Sequence, residues 1–145
     1  KKNMELRSSI DPNLQLIKDK KNLEIVQKAM FSSTNEIRGT SYRSRIDDPK
    51  YQFAGKTGTA QVKRISKRER ELDLKIEQIP YNDRDHALYV AYGPYINPRY
   101  AISIIVEHGG SGSKAAAPMA KDLFKLIVDR DGLREKQSNF EEIDI

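Results

Sequence analysis

The stretch Gly55-Lys56-Thr57-Gly58-Thr59-Ala60-Gln61-Val62 holds the residue types and spacing best suited to chemistry. Its lead-in, Tyr51-Gln52-Phe53-Ala54, is apolar and aromatic, so the stretch reads as the continuation of a strand. Glycine is a poor strand residue, because it loses more entropy on folding and gives nothing to pack. Two glycines around a Lys-Thr pair therefore imply a close approach to the backbone. Side chains alternate along a strand, which places Thr57 and Thr59 on one face and Lys56 and Gly58 on the other. Two neighbouring hydroxyls, a marginal cation and unshielded N–H groups suit an anionic ligand, such as a carboxylate lying along the strand.

The surrounding elements must hold that strand in place. Residues 1–20 mix charges with the turn signal Asp11-Pro12 and predict an irregular or extended entry. From Asn22, a plausible N-cap, Leu23, Val26 and Met30 recur at helical spacing with Ile25 and Ala29 beside them, predicting a helix over 22–31. Ser32-Ser33-Thr34-Asn35 is expected to end it, since such side chains compete for the backbone. Residues 39–49 read as loop. Past the strand at 51–62, Lys63 to Arg70 reads as a solvated strand end and hairpin tip. A short helix through Leu72, Ile76 and Ile79, closed by Pro80, is expected within the connection.

His86–Tyr92 is rich in β-formers and predicts a second strand, and Gly93-Pro94 with Asn97-Pro98 brackets a turn. Tyr100–Glu107 predicts a third strand, apolar on both faces and so central or covered. Gly109-Gly110-Ser111-Gly112 breaks it. A closing helix is expected over 116–130, with Met119, Leu123, Leu126 and Ile127 as its stripe, Pro118 in its first turn and Gly132 as its C-cap. Residues 133–145 have no period and are expected to be a disordered tail beyond a single domain spanning 1–132. The resulting order is α+β: an antiparallel meander, 51–62, 86–92, 100–107, with helices against it. The strand at 51–62 is expected to have an open edge that recruits partners.

The 145-residue chain is long enough for one core. It is 32% charged and 37% apolar, which favours a small core beneath much solvated surface. Its net charge of +5 is scattered among 21 acids, so a nucleic-acid partner is not indicated. Without Cys there are no disulfides or thiolate metal sites. No long apolar run is present, and an opening Lys1-Lys2-Asn3 without Met reads as an excised piece.

Lys56-Thr57-Gly58 is similar to the third motif of the active-site serine penicillin-binding proteins and β-lactamases. The longer Lys56–Val62 word resembles the elongation-type class B penicillin-binding proteins, the penicillin-binding protein 2 type. So do Arg84-Asp85-His86-Ala87-Leu88, Ala91-Tyr92-Gly93-Pro94-Tyr95 and Glu107-His108-Gly109-Gly110, in that order. The resemblance covers about Leu14 to Val128 and implies a piece of the β-lactamase/transpeptidase-like fold, whose five-stranded sheet carries this motif on its third strand. It implies acyl transfer from a D-Ala-D-Ala peptide stem, with a Ser nucleophile, a Lys three residues on and a Ser-x-Asn motif.

On that pattern Lys56 shares protons with the Ser of Ser-x-Asn, and Thr57 and Thr59 bond the terminal carboxylate. The Thr59 N–H forms half of an oxyanion hole, and Gly58 leaves room for the nucleophile's helix. The catalytic candidates are thus Lys56 and Thr59, and the substrate-binding candidates Lys56, Thr57, Gly58 and Thr59. Alternation sets Lys56 opposite the threonines, so its stem must reach around the strand edge.

The implied partners are peptidoglycan stem peptides, β-lactams and elongation-complex wall-synthesis proteins. The implied location is the periplasmic face of a bacterial inner membrane, through an anchor outside this sequence. No cofactor or metal is implied, and nucleic acid is not a partner. Ser111-x-x-Lys114 and Ser33-x-Asn35 match the other two motifs in spacing. The first, however, lies in a Gly-rich turn after the last strand, whereas the family's nucleophile precedes Lys-Thr-Gly, and the second sits at a helix end close before the strand. The chain thus carries the Lys-Thr-Gly wall without the nucleophile and alone is expected to be inactive. His86 and His108 read as strand-end histidines, and the tyrosines as strand and core-edge residues. The alternatives are a class D β-lactamase, a division-type transpeptidase, and a non-catalytic binding module.

Overall fold

A computed structural model of the chain describes residues 19–64, 72 and 74–141. The expectations for 1–18, for the hairpin tip at 65–70 and for 142–145 lie outside the described residues. Helix α1 spans Lys20–Asn35. Three strands follow, β1 (Ala54–Ala60), β2 (His86–Gly93) and β3 (Tyr100–Val106). A π-helical turn, Gly112–Ala116, leads into helix α2, Ala117–Glu141. The sheet order is β1-β2-β3, antiparallel throughout, with Thr57 opposite Tyr89 and Tyr89 opposite Ile104. The α+β meander expected from the sequence is what forms.

Period two in β2 explains the sheet. Ala87, Tyr89, Ala91 and Gly93 are buried on one face, while Val90 on the other is exposed. Against the buried face lie Ala116, Ala117, Ala120 and Phe124 of α2 and its leading turn. Alanine on both sides lets helix and sheet approach closely, and Phe53 and Phe124 fill the remaining space as a stacked pair 4.9 Å apart. Each buried phenylalanine contributes roughly 2–3 kcal/mol of hydrophobic stabilisation.

Several boundaries and faces differ from expectation. The N-cap of α1 is Asp19, whose carboxylate accepts from the Lys21 N–H at 2.9 Å, rather than Asn22. The helix runs on through Ser32–Asn35 because those side chains find partners: Asn35 Nδ2 donates to the Phe31 carbonyl at 3.1 Å and across to the Phe53 carbonyl at 2.9 Å. Asn35 Oδ1 is buried without a partner among the described residues.

Ile25 and Val26 are exposed while Leu23 and Met30 are half-buried and Thr34 fully buried, so the packed face of α1 is rotated from the apolar stripe and centred on Thr34 at its end. In α2 likewise, Met119, Leu123 and Leu126 are exposed and the small residues face the core. Period alone cannot tell an alanine face that fits a sheet from a bulkier face that does not. Helix α2 passes through Gly132, where a C-cap was expected, and its backbone is helical to Glu141.

Among the described residues β3 pairs with β2 alone, and Ile105 is exposed rather than covered. Within 72–85 the described residues form 3-10 turns at Ile76–Gln78 and Tyr81–Asp83 rather than one amphipathic helix, with Pro80 opening the second turn instead of closing a helix. Another 3-10 turn, Tyr42–Ser44, lies in the 39–49 loop.

Candidate functional site

The site grows from the way α1 meets β1. The Gly55 N–H donates to Thr34 Oγ1 at 3.0 Å, and Thr34 Oγ1 lies 3.4 Å from the Gly55 carbonyl. Both polar groups of Gly55 therefore face away from β2. In an antiparallel pair alternate residues point their N–H and C=O the same way, so those of Thr57 and Thr59 also face away from β2. The last turn of α1 covers the edge of β1 at Gly55, and among the described residues the edge beyond it pairs with no strand. The open edge expected from the sequence is confined to that half.

Lys56, Thr57 and Thr59 lie along the open half. The two threonines share a face, as alternation requires, and Lys56 starts from the other. Its stem does reach around: Nζ donates to the Thr57 carbonyl at 2.8 Å and lies 3.5 Å from Thr57 Oγ1. Lys56 and Thr59 are exposed and Thr57 is half-buried. Thr57 Oγ1 is held by Thr40 Oγ1 at 3.2 Å, and Thr40 Oγ1 by Ser33 Oγ at 3.1 Å. The arrangement presents a cation, a hydroxyl and a backbone N–H at one unpaired edge, a set that can hold a carboxylate and stabilise a developing oxyanion.

The two glycines serve different purposes. A Cβ at Gly55 would stand 2.3 Å from Tyr89 Oη, so the close approach there is by the tyrosine ring and not by a ligand. At Gly58 a Cβ would meet only Leu88 Cβ, at 3.3 Å. The tighter contact is made from above: a Cβ on Gly112 would lie 2.5 Å from the Leu88 carbonyl oxygen and 2.7 Å from that of Gly58. The π-helical turn thus rests directly on β1 and β2 beside the candidate residues.

Four residues that sequence reasoning did not single out support the strand. Thr34, Ser41 and Tyr89 are fully buried, with Tyr89 Oη 2.9 Å from Thr34 Oγ1 and 3.1 Å from Ser41 Oγ. Thr40 is the fourth. Burial pushes the Tyr89 phenol above the usual tyrosine range, opposed by its hydrogen bonds to Ser41 and Thr34. The signal lay in the hydroxyl run at 32–34, which reads locally as a helix stop and spatially as a clamp.

Ser33-x-Asn35 is part of that clamp and not a separate motif. In Ser111-x-x-Lys114, Ser111 Oγ bonds Ser113 Oγ at 3.1 Å within the leading turn of α2. His86 and His108 meet: the His108 N–H donates to His86 Nδ1 at 2.9 Å, and the rings lie 4.8 Å apart. The described residues contain no group of three or more His, Cys, Asp or Glu side chains that could hold a metal, and no helix long and apolar enough to cross a membrane.

Comparison with known proteins gives a consistent set. The family model "Penicillin binding protein transpeptidase domain" matches residues 11–125. Peptidoglycan D,D-transpeptidase MrdA of Salmonella typhimurium is 37% identical over 105 residues, 72% of this chain and 16% of that protein. The Acinetobacter baumannii protein of the same name is 46% identical over 81 residues, 54% of this chain and 11% of that one. Among solved structures, a penicillin-binding protein (PBP2) from Helicobacter pylori in complex with MreC superposes with a TM-score of 0.61 at 32% identity, over 76% of this chain and 18% of that one. Pseudomonas aeruginosa PBP2 in complex with WCK 5153 gives 0.56 at 33% identity, over 77% and 21%. The chain thus spans about 16% of the length of the first curated relatives it matches.

Proposed function

The chain belongs to the penicillin-binding protein transpeptidase family, and from that premise we propose that it forms the Lys-Thr-Gly wall of a peptidoglycan D,D-transpeptidase of the PBP2 type. The observation that carries the reading is the open half-edge of β1, where Lys56, Thr57 and the outward Thr59 N–H converge. A D-Ala-D-Ala stem laid along this edge places its terminal carboxylate near Thr57, Thr59 and the Lys56 ammonium. The scissile carbonyl oxygen then takes the Thr59 N–H. A Ser-x-x-Lys serine from sequence outside these residues attacks that carbonyl, D-Ala leaves with a proton, and the acyl-enzyme passes to the amine of a second stem. Residues 1–132 contribute the C-terminal part of the transpeptidase domain.

Each group has a physical task. One oxyanion-hole donor is worth ~3 kcal/mol of transition-state stabilisation. The Lys56 ammonium adds positive potential where the substrate is anionic, and Gly58 keeps the strand narrow where the nucleophile must approach. A β-lactam offers the same carboxylate and strained carbonyl, so it acylates the same serine. The relative's complex with MreC supports a protein partner in wall synthesis for the full-length protein, and the location that goes with this reading is the periplasmic face of the inner membrane.

The experiment is D-Ala release from a synthetic pentapeptide stem by the full-length protein. Release by wild type and its loss in Lys56→Ala support the reading. A folded wild type that releases no D-Ala, yet binds DNA with an affinity falling steeply with salt, identifies a binding module instead.

A further inference from the structure

We propose that Thr34 is a positioning residue for acylation, holding the Lys-Thr-Gly edge in register through a relay of buried hydroxyls. Every proton of the relay finds an acceptor: the Gly55 N–H donates to Thr34 Oγ1, Thr34 Oγ1 and Tyr89 Oη share a bond, as do Tyr89 Oη and Ser41 Oγ, each in either sense, and Ser41 donates to the Ser33 carbonyl, at 3.0, 2.9, 3.1 and 3.1 Å. All three hydroxyl-bearing residues are at most 1% exposed. At such burial the bonds of a hydroxyl chain polarise one another and resist rearrangement. The relay starts on β1 at Gly55 and returns to α1 at its end: Thr34 and Ser33 are successive residues of the last turn of α1. Gly55, the group it fixes, immediately precedes Lys56.

A second arm runs from the same turn to the candidate groups themselves. Ser33 Oγ, Thr40 Oγ1 and Thr57 Oγ1 are linked at 3.1 and 3.2 Å, and Thr57 Oγ1 lies 3.5 Å from Lys56 Nζ. Two successive residues of one helical turn thus reach β1 on both sides of Lys56. Three strands alone would leave this edge free to slide or twist, since one side has no ladder partner. The clamp supplies the missing partner at Gly55 and leaves the next residues open to a ligand. A shift of about 1 Å at a reacting centre can cost on the order of 100-fold in rate, so loosening Gly55 is felt at Thr59 without any contact between them.

This inference rests on the transpeptidase reading, and the test separates the two. In the full-length protein, acylation by a fluorescent penicillin gives an end-point, which counts folded sites, and a rate constant, which reports their geometry. Thr34→Val keeps the shape and removes the acceptor; Thr34→Ser keeps the acceptor. The expected result is a normal end-point with an acylation rate constant lowered about 10-fold or more in Thr34→Val and restored in Thr34→Ser. Tyr89→Phe, which breaks the relay more mildly, falls between and serves if Thr34→Val does not fold. Gly55 amide exchange should quicken about 10-fold in the same variants while the β2 amides keep their protection. A purely structural role lowers the end-point and leaves the rate constant unchanged, which overturns the inference alone. A folded wild type that takes no label overturns the transpeptidase reading and this inference with it.

Discussion

Replacing Gly55 by alanine tests the packing beneath the site. The new methyl would stand 2.3 Å from Tyr89 Oη, 2.5 Å from Cζ and 2.7 Å from Cε1. Ordinary carbon contacts need at least 3.4 Å, so the ring must move by about 1 Å. It cannot do so freely, because it is fully buried, edge-on to Phe53 at 6.5 Å and bonded to Thr34 and Ser41. Overpacking of this kind costs ~1–3 kcal/mol, and each strained or lost hydrogen bond about 1 kcal/mol more. Against this, alanine is better than glycine within a strand by ~0.5–1 kcal/mol. The net expectation is a loss of about 2–4 kcal/mol, a fall in Tm of roughly 5–15 °C.

Gly132 supplies the opposite sign. Nothing lies within 4 Å of its Cβ position and it sits inside α2, so Gly132→Ala should stabilise by ~0.5–1 kcal/mol. Thermal unfolding followed by circular dichroism measures both. Repeating Gly55→Ala in a Tyr89→Leu background should abolish most of its cost if the clash is with the ring. A Gly55→Ala protein within 0.5 kcal/mol of wild type would refute the packing argument.

Other outcomes follow from the same contacts. The Tyr89 phenol is raised by burial, so the stability it confers is fully present below the unfolded tyrosine value of about 10 and is lost as pH climbs through its folded value. In an alkaline ultraviolet titration Tyr89 should ionise together with unfolding, whereas its ionisation in the folded protein would contradict its burial. The Asp129 carboxylate is held below the usual range by the Tyr51 hydroxyl and then by Lys50. Its tie to the lead-in of β1 should be intact at neutral pH and weaken as pH falls below about 4. Tyr51 ring chemical shifts followed against pH would show the release, and shifts unchanged down to pH 2 would argue against it. These 145 residues alone should form no acyl adduct with penicillin by intact mass spectrometry, because covalent chemistry needs a serine and its base within hydrogen-bond reach. An adduct at Ser111 would make Ser111-x-x-Lys114 a real nucleophile motif.

The meander and the placement of the motif on a strand were legible in the sequence, since period two in 86–92 and the break at 109–112 are local signals. The faces of the helices were not. Val26 and Leu123 carry the stronger apolar period, yet Thr34 and Ala120 are the residues that pack. Whether a hydroxyl at a helix end competes for its own backbone or bonds a strand depends on what lies opposite it, and Gly55 is 21 residues away. The same holds for Gly55 itself. Its need for space was readable, but the occupant, Tyr89, emerges only once the register of β1 on β2 is known. Alternation alone sets Lys56 opposite the threonines, and only the structure shows its Nζ at the Thr57 carbonyl.

The outward Thr59 N–H is the group on which the account turns, and proline can remove it without touching the sheet. Because that N–H faces away from β2, Thr59→Pro deletes no ladder bond, the one circumstance in which an edge strand accepts proline. Thr59→Val deletes the hydroxyl and keeps the N–H. The measurement is the rate constant for acylation of the full-length protein by a fluorescent penicillin in both variants. The account predicts a fall of about 100-fold to 1,000-fold in Thr59→Pro beyond whatever Thr59→Val loses, with the same labelling end-point. Equal rates in the two variants would contradict it.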